Sequence, residues 1–201
     1  MPDAPGLELI RGEIERDRPG CVLATSFDRD QAALVVDPEQ VLAVLSWLRD
    51  EPGQGYRFLS SLHVADYLPS QPRFGVHYEL INRDRVERIR VKAMLSGPSA
   101  GGAVGGPIPE EALATAGDGG SPAATGPADG PLPAIDSCTS LFPTAEFQER
   151  EAFDFFGIEF RGHPNLTRIL MPDDYVGWPL RRDFPVGGEP VTFTYNEHRY
   201  G

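Results

Sequence analysis

Apolar and polar positions follow two periods along this chain, and the switches between them mark its elements. Near the N-terminus, Leu7, Leu9, Ile10 and Ile14 recur among Glu and Arg residues, which predicts a modest amphipathic helix. Cys21–Phe27 and Gln31–Val36 read as two short strands, with Asp28-Arg29-Asp30 as the turn between them. Asp37-Pro38-Glu39-Gln40 carries the signals of a helix start. Asp37 is the cap, Pro38 suits the first helical position, and Gln40 is placed for a capping box. Val41, Leu42, Val44, Leu45 and Leu48 continue at helical spacing until Pro52-Gly53 ends the helix.

Three strands are expected next. The stretch from Tyr56 to Leu68 is partly apolar and predicts a strand that bulges or ends early. Phe74, Val76, Tyr78 and Leu80 alternate with polar or small residues, so one face is predicted buried. Ile89, Val91, Ala93 and Leu95 alternate with Arg88, Arg90, Lys92 and Met94, and Asn82-Arg83-Asp84 joins the two runs as a hairpin turn. The basic residues of this last strand read as a solvated sheet face.

Residues 96–133 change character. Of the chain's 42 Gly and Pro residues (22 Gly and 20 Pro), 17 lie between Gly97 and Pro133, where no aromatic occurs. Such a composition buries too little apolar surface to offset chain entropy, so the stretch reads as a flexible insertion without chemistry. Patterning resumes at Ile135–Pro143. Thr144 then caps a helix over residues 145–156, apolar through Phe147, Ala152, Phe155 and Phe156, with Gly157 as its terminator. Pro164, Pro172, Pro179, Pro185 and Pro190 punctuate the C-terminal segment, a spacing that excludes helix and central strand.

Charge and cysteine content narrow the functional classes. A net charge of −12 repels phosphate backbones and anionic headgroups, which argues against nucleic-acid or lipid binding. No apolar run reaches the ~20 residues of a membrane span, so membrane association would come through partners. Cys21 and Cys138, the only two cysteines, have no metal-site spacing and fall short of the about four thiolates an iron–sulfur cluster takes. They read as reduced structural thiols of a cytoplasmic protein.

Residues 162–185, GHPNLTRILMPDDYVGWPLRRDFP, hold the ingredients of an active site. His163 with Asp173 or Asp174 makes an imaginable base and orienting partner, and a free-standing small enzyme built on them is the reading of another class. No G-x-S-x-G elbow or cysteine signature supplies a nucleophile, and His-Pro in a turn is more often structural. His63, His77, His163 and His198 show no metal-ligand spacing, and the glycines between 97 and 106 lack the G-K-[ST] of a phosphate cradle. The density of Phe153, Phe155, Phe156, Phe160, Tyr175, Trp178 and Phe184, interleaved with Arg161, Arg168, Arg181 and Arg182, instead matches interface hot spots. Ordering the 45 residues from Gly157 to Gly201 costs roughly 1–2 kcal/mol each in backbone entropy. The small domain offers too little surface for that, so the segment reads as an arm that docks on large partners.

The run Glu149-Arg150-Glu151-Ala-Phe153-Asp154-Phe-Phe156-Gly157-Ile158 is followed by Gly162-His163-Pro164-Asn165-Leu166-x-Arg168-Ile169-Leu170-Met171-Pro172-x-Asp174. Gly177-x-Pro179-Leu180-Arg181-Arg182-Asp183-Phe184-Pro185 completes the set. Together they resemble the signature of the C subunit of NADH-quinone oxidoreductase, the 30 kDa-type subunit of respiratory complex I. Leu62-x-Val64-Ala65-Asp66-Tyr67 resembles a shorter family stretch, and residues 96–133 depart from the compact family pattern. The resemblance implies a non-catalytic peripheral-arm subunit of a proton-translocating enzyme, on the cytoplasmic face of a prokaryotic cell membrane. It implies no cofactor in this chain, while the complex uses FMN, iron–sulfur clusters, NADH and quinone. The implied partners are the quinone-cavity subunit (D, 49 kDa type) and the terminal-cluster subunit (B). Glu149, Glu151 and Asp154 would then offer carboxylates to partner or arm cations, and Arg168, Arg181 and Arg182 would form bidentate carboxylate pairs. Gly157, Gly162 and Gly177 would permit bends, and the prolines would keep the arm extended. Membrane-bound [NiFe]-hydrogenase, formate hydrogenlyase and F420H2 dehydrogenase complexes use similar subunits and remain the alternative.

The expected architecture is α+β: a two-layer domain over residues 1–156 with helices on one face of a mixed sheet, interrupted at 96–133. An extended, mostly irregular docking arm over residues 157–201 comes after it. Deleting residues 98–131 is expected to leave incorporation into the assembled complex nearly intact, measured as subunit yield after affinity purification. Failed incorporation would show that the insertion has a partner.

Overall fold

The computed structural model describes residues 2–29, 31–97 and 131–184. Helix α1 (Ala4–Asp17) is capped by Asp3, whose carboxylate accepts from the Gly6 N–H at 2.8 Å. It buries Leu7, Ile10 and Ile14, whereas Leu9 faces outward. Strands β1 (Val22–Asp28) and β2 (Gln31–Val36) form a hairpin, and Arg29 takes a positive φ of 47° in its turn.

The predicted helix start after β2 forms differently. Asp37 does cap, accepting from the Glu39 N–H, but Pro38–Gln40 wind as one 3₁₀ turn before α2 (Val41–Asp50) begins. Gln40 makes no capping bond; its side-chain carbonyl lies 3.9 Å from the buried Cys21 Sγ. The capping box fails because this residue faces the N-terminal hairpin.

Strands β3 (Phe58–Asp66), β4 (Phe74–Asn82) and β5 (Glu87–Leu95) complete a five-stranded sheet of order β1-β2-β5-β4-β3. Only the β2–β5 pair is parallel, so the sheet is mixed. The bulge predicted for β3 lies between Leu59 and Ser61. Asn82 closes the β4–β5 turn by accepting from the N–H groups of Asp84 and Arg85. Phe74, Val76, Tyr78 and Leu80 of β4 and Ile89, Val91 and Ala93 of β5 share one core cluster with the buried residues of all helices. The helices therefore cover one face, as expected. Past the insertion, β6 (Ala134–Asp136) pairs in parallel with β7 (Glu159–Arg161), and α3 (Ala145–Phe156) lies between them in sequence. Strand β7 lies ahead of Pro164 and is an edge strand of a separate two-stranded pair, so the exclusion of a central strand stands among the described residues.

Strand β4 is buried on both faces, where alternation predicted one. The second face is roofed by long polar side chains. His77 stacks on His63 with ring centroids 5.0 Å apart, and its Nε2 lies 3.1 Å from the Tyr67 hydroxyl. Lys92 sits over the Tyr67 ring, and Arg90 pairs with Glu79. The basic strand face predicted as solvated is this roof. Burial, then the nearby His63, Lys92 and Arg90, push His77 down to about 3.

An imidazole held neutral in the fold takes up its proton when the chain unfolds. Between about pH 6.5 and about 3 the unfolded state binds the extra proton, so stability falls as pH falls through that window. The limiting slope for one proton is about 1.4 kcal/mol per pH unit. The melting temperature is expected to drop between pH 7 and 5, and His77→Gln to flatten that drop. Identical slopes in the two proteins would place the acid sensitivity elsewhere.

Candidate functional site

Helix α3 is the spool around which the C-terminal segment winds. Its expected N-cap does not form: Thr144 donates its hydroxyl to the Leu59 carbonyl of β3 at 3.1 Å and so ties the helix start to the sheet. Its C-terminus ends as predicted, with Gly157 in the left-handed region at φ 65°. A Cβ there would overlap the indole of Trp178, so glycine serves both the turn and the close approach of that ring. Trp178 is buried and meets Phe153 edge-on at 5.4 Å.

Two carboxylates of the helix face inward. Asp154 accepts from the N–H groups of Ile169, Leu170 and Met171 at 2.8–3.1 Å, and Arg168 donates to its other oxygen at 2.8 Å. Burial pushes this carboxyl up, and the Met171, Leu170 and Ile169 N–H groups with Arg168 more than reverse it, so Asp154 lies below its ordinary value. Glu149 is also buried, accepting from the Ser137 hydroxyl at 2.6 Å and the Cys138 N–H at 2.7 Å. Here burial prevails and the carboxyl is raised. The same burial and the neighbouring Glu149 raise the Cys138 thiol, which rules out a ready thiolate nucleophile.

The arginines act mostly on carbonyls. Arg168 spans the wrap, donating also to the carbonyls of Asp154, Tyr175 and Gly177 while lying 4.7 Å from the Trp178 ring. Arg150 reaches the carbonyls of Thr167 and Arg168. Arg181 is buried, donates to the Phe156 carbonyl at 2.7 Å and stacks near Phe74. Arg182, which is exposed, donates to the Leu68 carbonyl. Arg168 meets the expected carboxylate through one Asp154 oxygen, and these arginines also serve carbonyls, because a segment without regular structure leaves carbonyls that need donors. The bidentate arginine that fastens this segment is Arg73. Its guanidinium, fully buried, faces Asp66 at 2.7 and 3.0 Å and Asp183 at 2.6 and 2.9 Å. Sequence reasoning missed it, since an Arg between Pro72 and Phe74 carries no motif; Asp66 in the shorter family stretch was the available signal.

The catalytic dyad does not form. His163 Nδ1 accepts from the Asn165 N–H at 3.0 Å, which leaves Nε2 to donate to the Glu146 carbonyl at 3.0 Å. Asp173 and Asp174 are exposed and make no bond to that ring, and Glu149 is the carboxylate nearest it, at 4.0 Å. Gly162 and Gly177 take positive φ values of 80° and 103°, and Phe184 lies where a Gly177 side chain would go. Pro164, Pro172 and Asp174 lie on exposed turns, and the Pro172 carbonyl accepts from the Tyr175 N–H. Pro179 is half-buried, while Glu151 and Leu180 are exposed. Pro185 lies outside the described residues. Among the described residues, no three His, Cys, Asp or Glu side chains converge as metal ligands, and no helix is long and apolar enough to cross a membrane.

The expectation that the arm lacks a surface on its own domain is overturned to residue 184. Trp178, Arg181 and the Asp183 carboxylate all seat on the body, so intrachain burial and ion pairing order this part. Residues 34–102 and 124–190 match the family model of the respiratory-chain NADH dehydrogenase 30 Kd subunit. The chain belongs to that family. Relatives named as the C subunit of NADH-quinone oxidoreductase include one from Roseiflexus sp. (strain RS-1), 36% identical over 199 residues, covering 99% of this chain and 93% of the relative. Another, from Herpetosiphon aurantiacus, is 39% identical over 164 residues, covering 82% and 77%. Two solved structures share the fold of this 30 kDa-subunit member. A trypsin-resistant fragment (1–134) of Nqo5 has a TM-score of 0.51 at 23% identity, covering 80% of this chain and 98% of the fragment. A chain of an archaeal membrane-bound sulfane sulfur reductase has a TM-score of 0.58 at 18% identity, covering 96% and 90%.

Asp183→Ala removes one of the two carboxylates on Arg73 and is expected to cost about 1–3 kcal/mol. Trypsin should then cut after Arg181 and Arg182 well before the body of the protein is digested. An unchanged digestion time course would show that Trp178 alone holds the segment down.

Proposed function

We propose that this chain is a structural, non-catalytic subunit of a proton-translocating NADH:quinone oxidoreductase. In this reading it docks on the quinone-cavity subunit (D, 49 kDa type) and the terminal-cluster subunit (B), at the cytoplasmic face of the membrane. Membership of the 30 kDa-subunit family carries the proposal, and the chemistry of the chain supports it. Both ring nitrogens of His163 are occupied by backbone partners, the Cys138 thiol is held protonated, and Asp154 and Glu149 are spent on internal hydrogen bonds. Two buried cysteines suit neither a cluster nor a thiolate metal site, so in this reading the iron–sulfur chemistry belongs to other subunits.

The docking surface of this reading mixes apolar side chains with exposed charges such as Glu151, Asp173 and Asp174. Of the eight exposed large hydrophobic side chains among the described residues, four lie on α3 and the wrap: Phe147, Leu170, Val176 and Leu180. Asp154, Arg168, Arg181 and Asp183 fasten the segment to its own domain, and its apolar tips are left for partners.

Affinity purification of the tagged chain is expected to bring down NADH:quinone oxidoreductase activity together with the D and B subunits, identified by mass spectrometry. The isolated chain should neither oxidise NADH nor reduce a quinone. Arg181→Ala is expected to lower the amount of assembled complex more than turnover per assembled complex. A large partner bearing [NiFe]-ligand cysteines, or redox activity of the chain alone, would refute the assignment.

A further inference from the structure

Strand β3 is an edge of the five-stranded sheet, and its outer side is only partly closed. The Leu62 N–H donates to the Gln148 side-chain carbonyl, so it points away from β4. Strand alternation then turns the Leu62 carbonyl and both the N–H and carbonyl of Val64 outward as well. The Leu59 carbonyl also points out and is taken by Thr144. Side chains of α3 thus satisfy the edge near the bulge and leave it open further on.

At that open part, residues 61–64 form one wall of a groove of about 310 Å³. Ala152, Phe155 and Phe156 of α3 with Leu180 of the wrap supply an apolar lining, and Glu151 adds an exposed carboxylate. Sheet edges are normally guarded by lysine, proline or inward-pointing charge. Phe58–Asp66 contains no lysine or proline, and its one carboxylate, Asp66, is committed to Arg73.

Resting on the subunit reading above, we propose that this edge accepts an extended segment of another subunit of the oxidoreductase as an added strand. The segment would place alternate apolar side chains against Phe155 and Leu180 and a Lys or Arg against Glu151. Charge selects this occupant. A second copy would set two Glu151 carboxylates and two acidic α3 helices against each other. Residues 185–201 of this chain bring Glu189 and Glu197 against a single Arg199. Main-chain bonds to Leu62 and Val64 would give the affinity, and the groove would give the side-chain selection.

The test uses the assembled, affinity-purified complex with photoreactive benzoylphenylalanine in place of the exposed His63. A crosslink to one short stretch of another subunit, containing a Lys or Arg, is expected. Val64→Pro deletes an outward N–H that β4 does not use, so a folded variant is expected to lose the crosslink at least five-fold, while Val64→Ile keeps it. Should the proline variant fail to fold by circular dichroism, Glu151→Lys is expected to give the same loss. Crosslinks to residues 185–201, to a second copy or to a partner helix would overturn the proposal, as would crosslinking that neither variant changes. A chain that enters the oxidoreductase without such a contact sinks the strand proposal alone, and a chain absent from it sinks both readings.

Discussion

The last described turn, residues 181–184, is fastened to the sheet by a guanidinium that cannot reach water. Arg73 is fully buried, and removing even one of its two carboxylates costs about 1–3 kcal/mol, so both Asp66 and Asp183 are held in place by its desolvation. Burial pulls the guanidinium toward neutrality, and the two carboxylates more than restore its charge. Asp66 belongs to the end of β3 and Asp183 to the wrap, so a single side chain joins the edge of the sheet to the last described turn. The Asp66 carboxylate also accepts from the Arg182 and Leu68 N–H groups, which fixes the direction in which the chain arrives.

A second buried charge organises the middle of the same segment. Asp154 gathers three successive N–H groups and Arg168, which is how residues without helix or strand satisfy their backbone. The wrap resembles a ligand bound to α3 by a carboxylate, a guanidinium and an indole. With those polar groups consumed internally, Phe147, Leu170, Val176 and Leu180 are among the side chains left outward, and such apolar tips suit burial against a partner.

The sheet and helices were legible because period-2 and period-3.6 patterning reports burial, and burial built them: β2, the bulge in β3 and the Gly157 terminator all lie where the pattern puts them. Caps were less legible. Gln40 and Thr144 have the right residue types at the right positions, yet each turns its side chain elsewhere, Thr144 to a strand 85 positions away. Local signals cannot see such competitors. The family motif marks the residues of the wrap, but not the partners they meet within the chain. Arg73 lies 110 positions from Asp183, and no spacing rule spans that distance. Reading the aromatics as bound outward failed for the same reason: the cavity for Trp178 is made by a glycine, whose emptiness leaves no trace in a hydropathy pattern.

That separation of 110 positions also sets an order of events. Arg73 meets Asp66 across only seven positions, so the nearby ion pair is available as soon as β3 and β4 come together. Closing the much longer loop to Asp183 carries a larger entropic cost and comes once the sheet has fixed the guanidinium's position. The seating of the wrap thus carries the larger ordering cost, and with it comes the surface that carries Leu170, Val176 and Leu180. A chain with an unfinished sheet lacks the fixed guanidinium on which Asp183 seats, so the sheet and the last described turn stand or fall together.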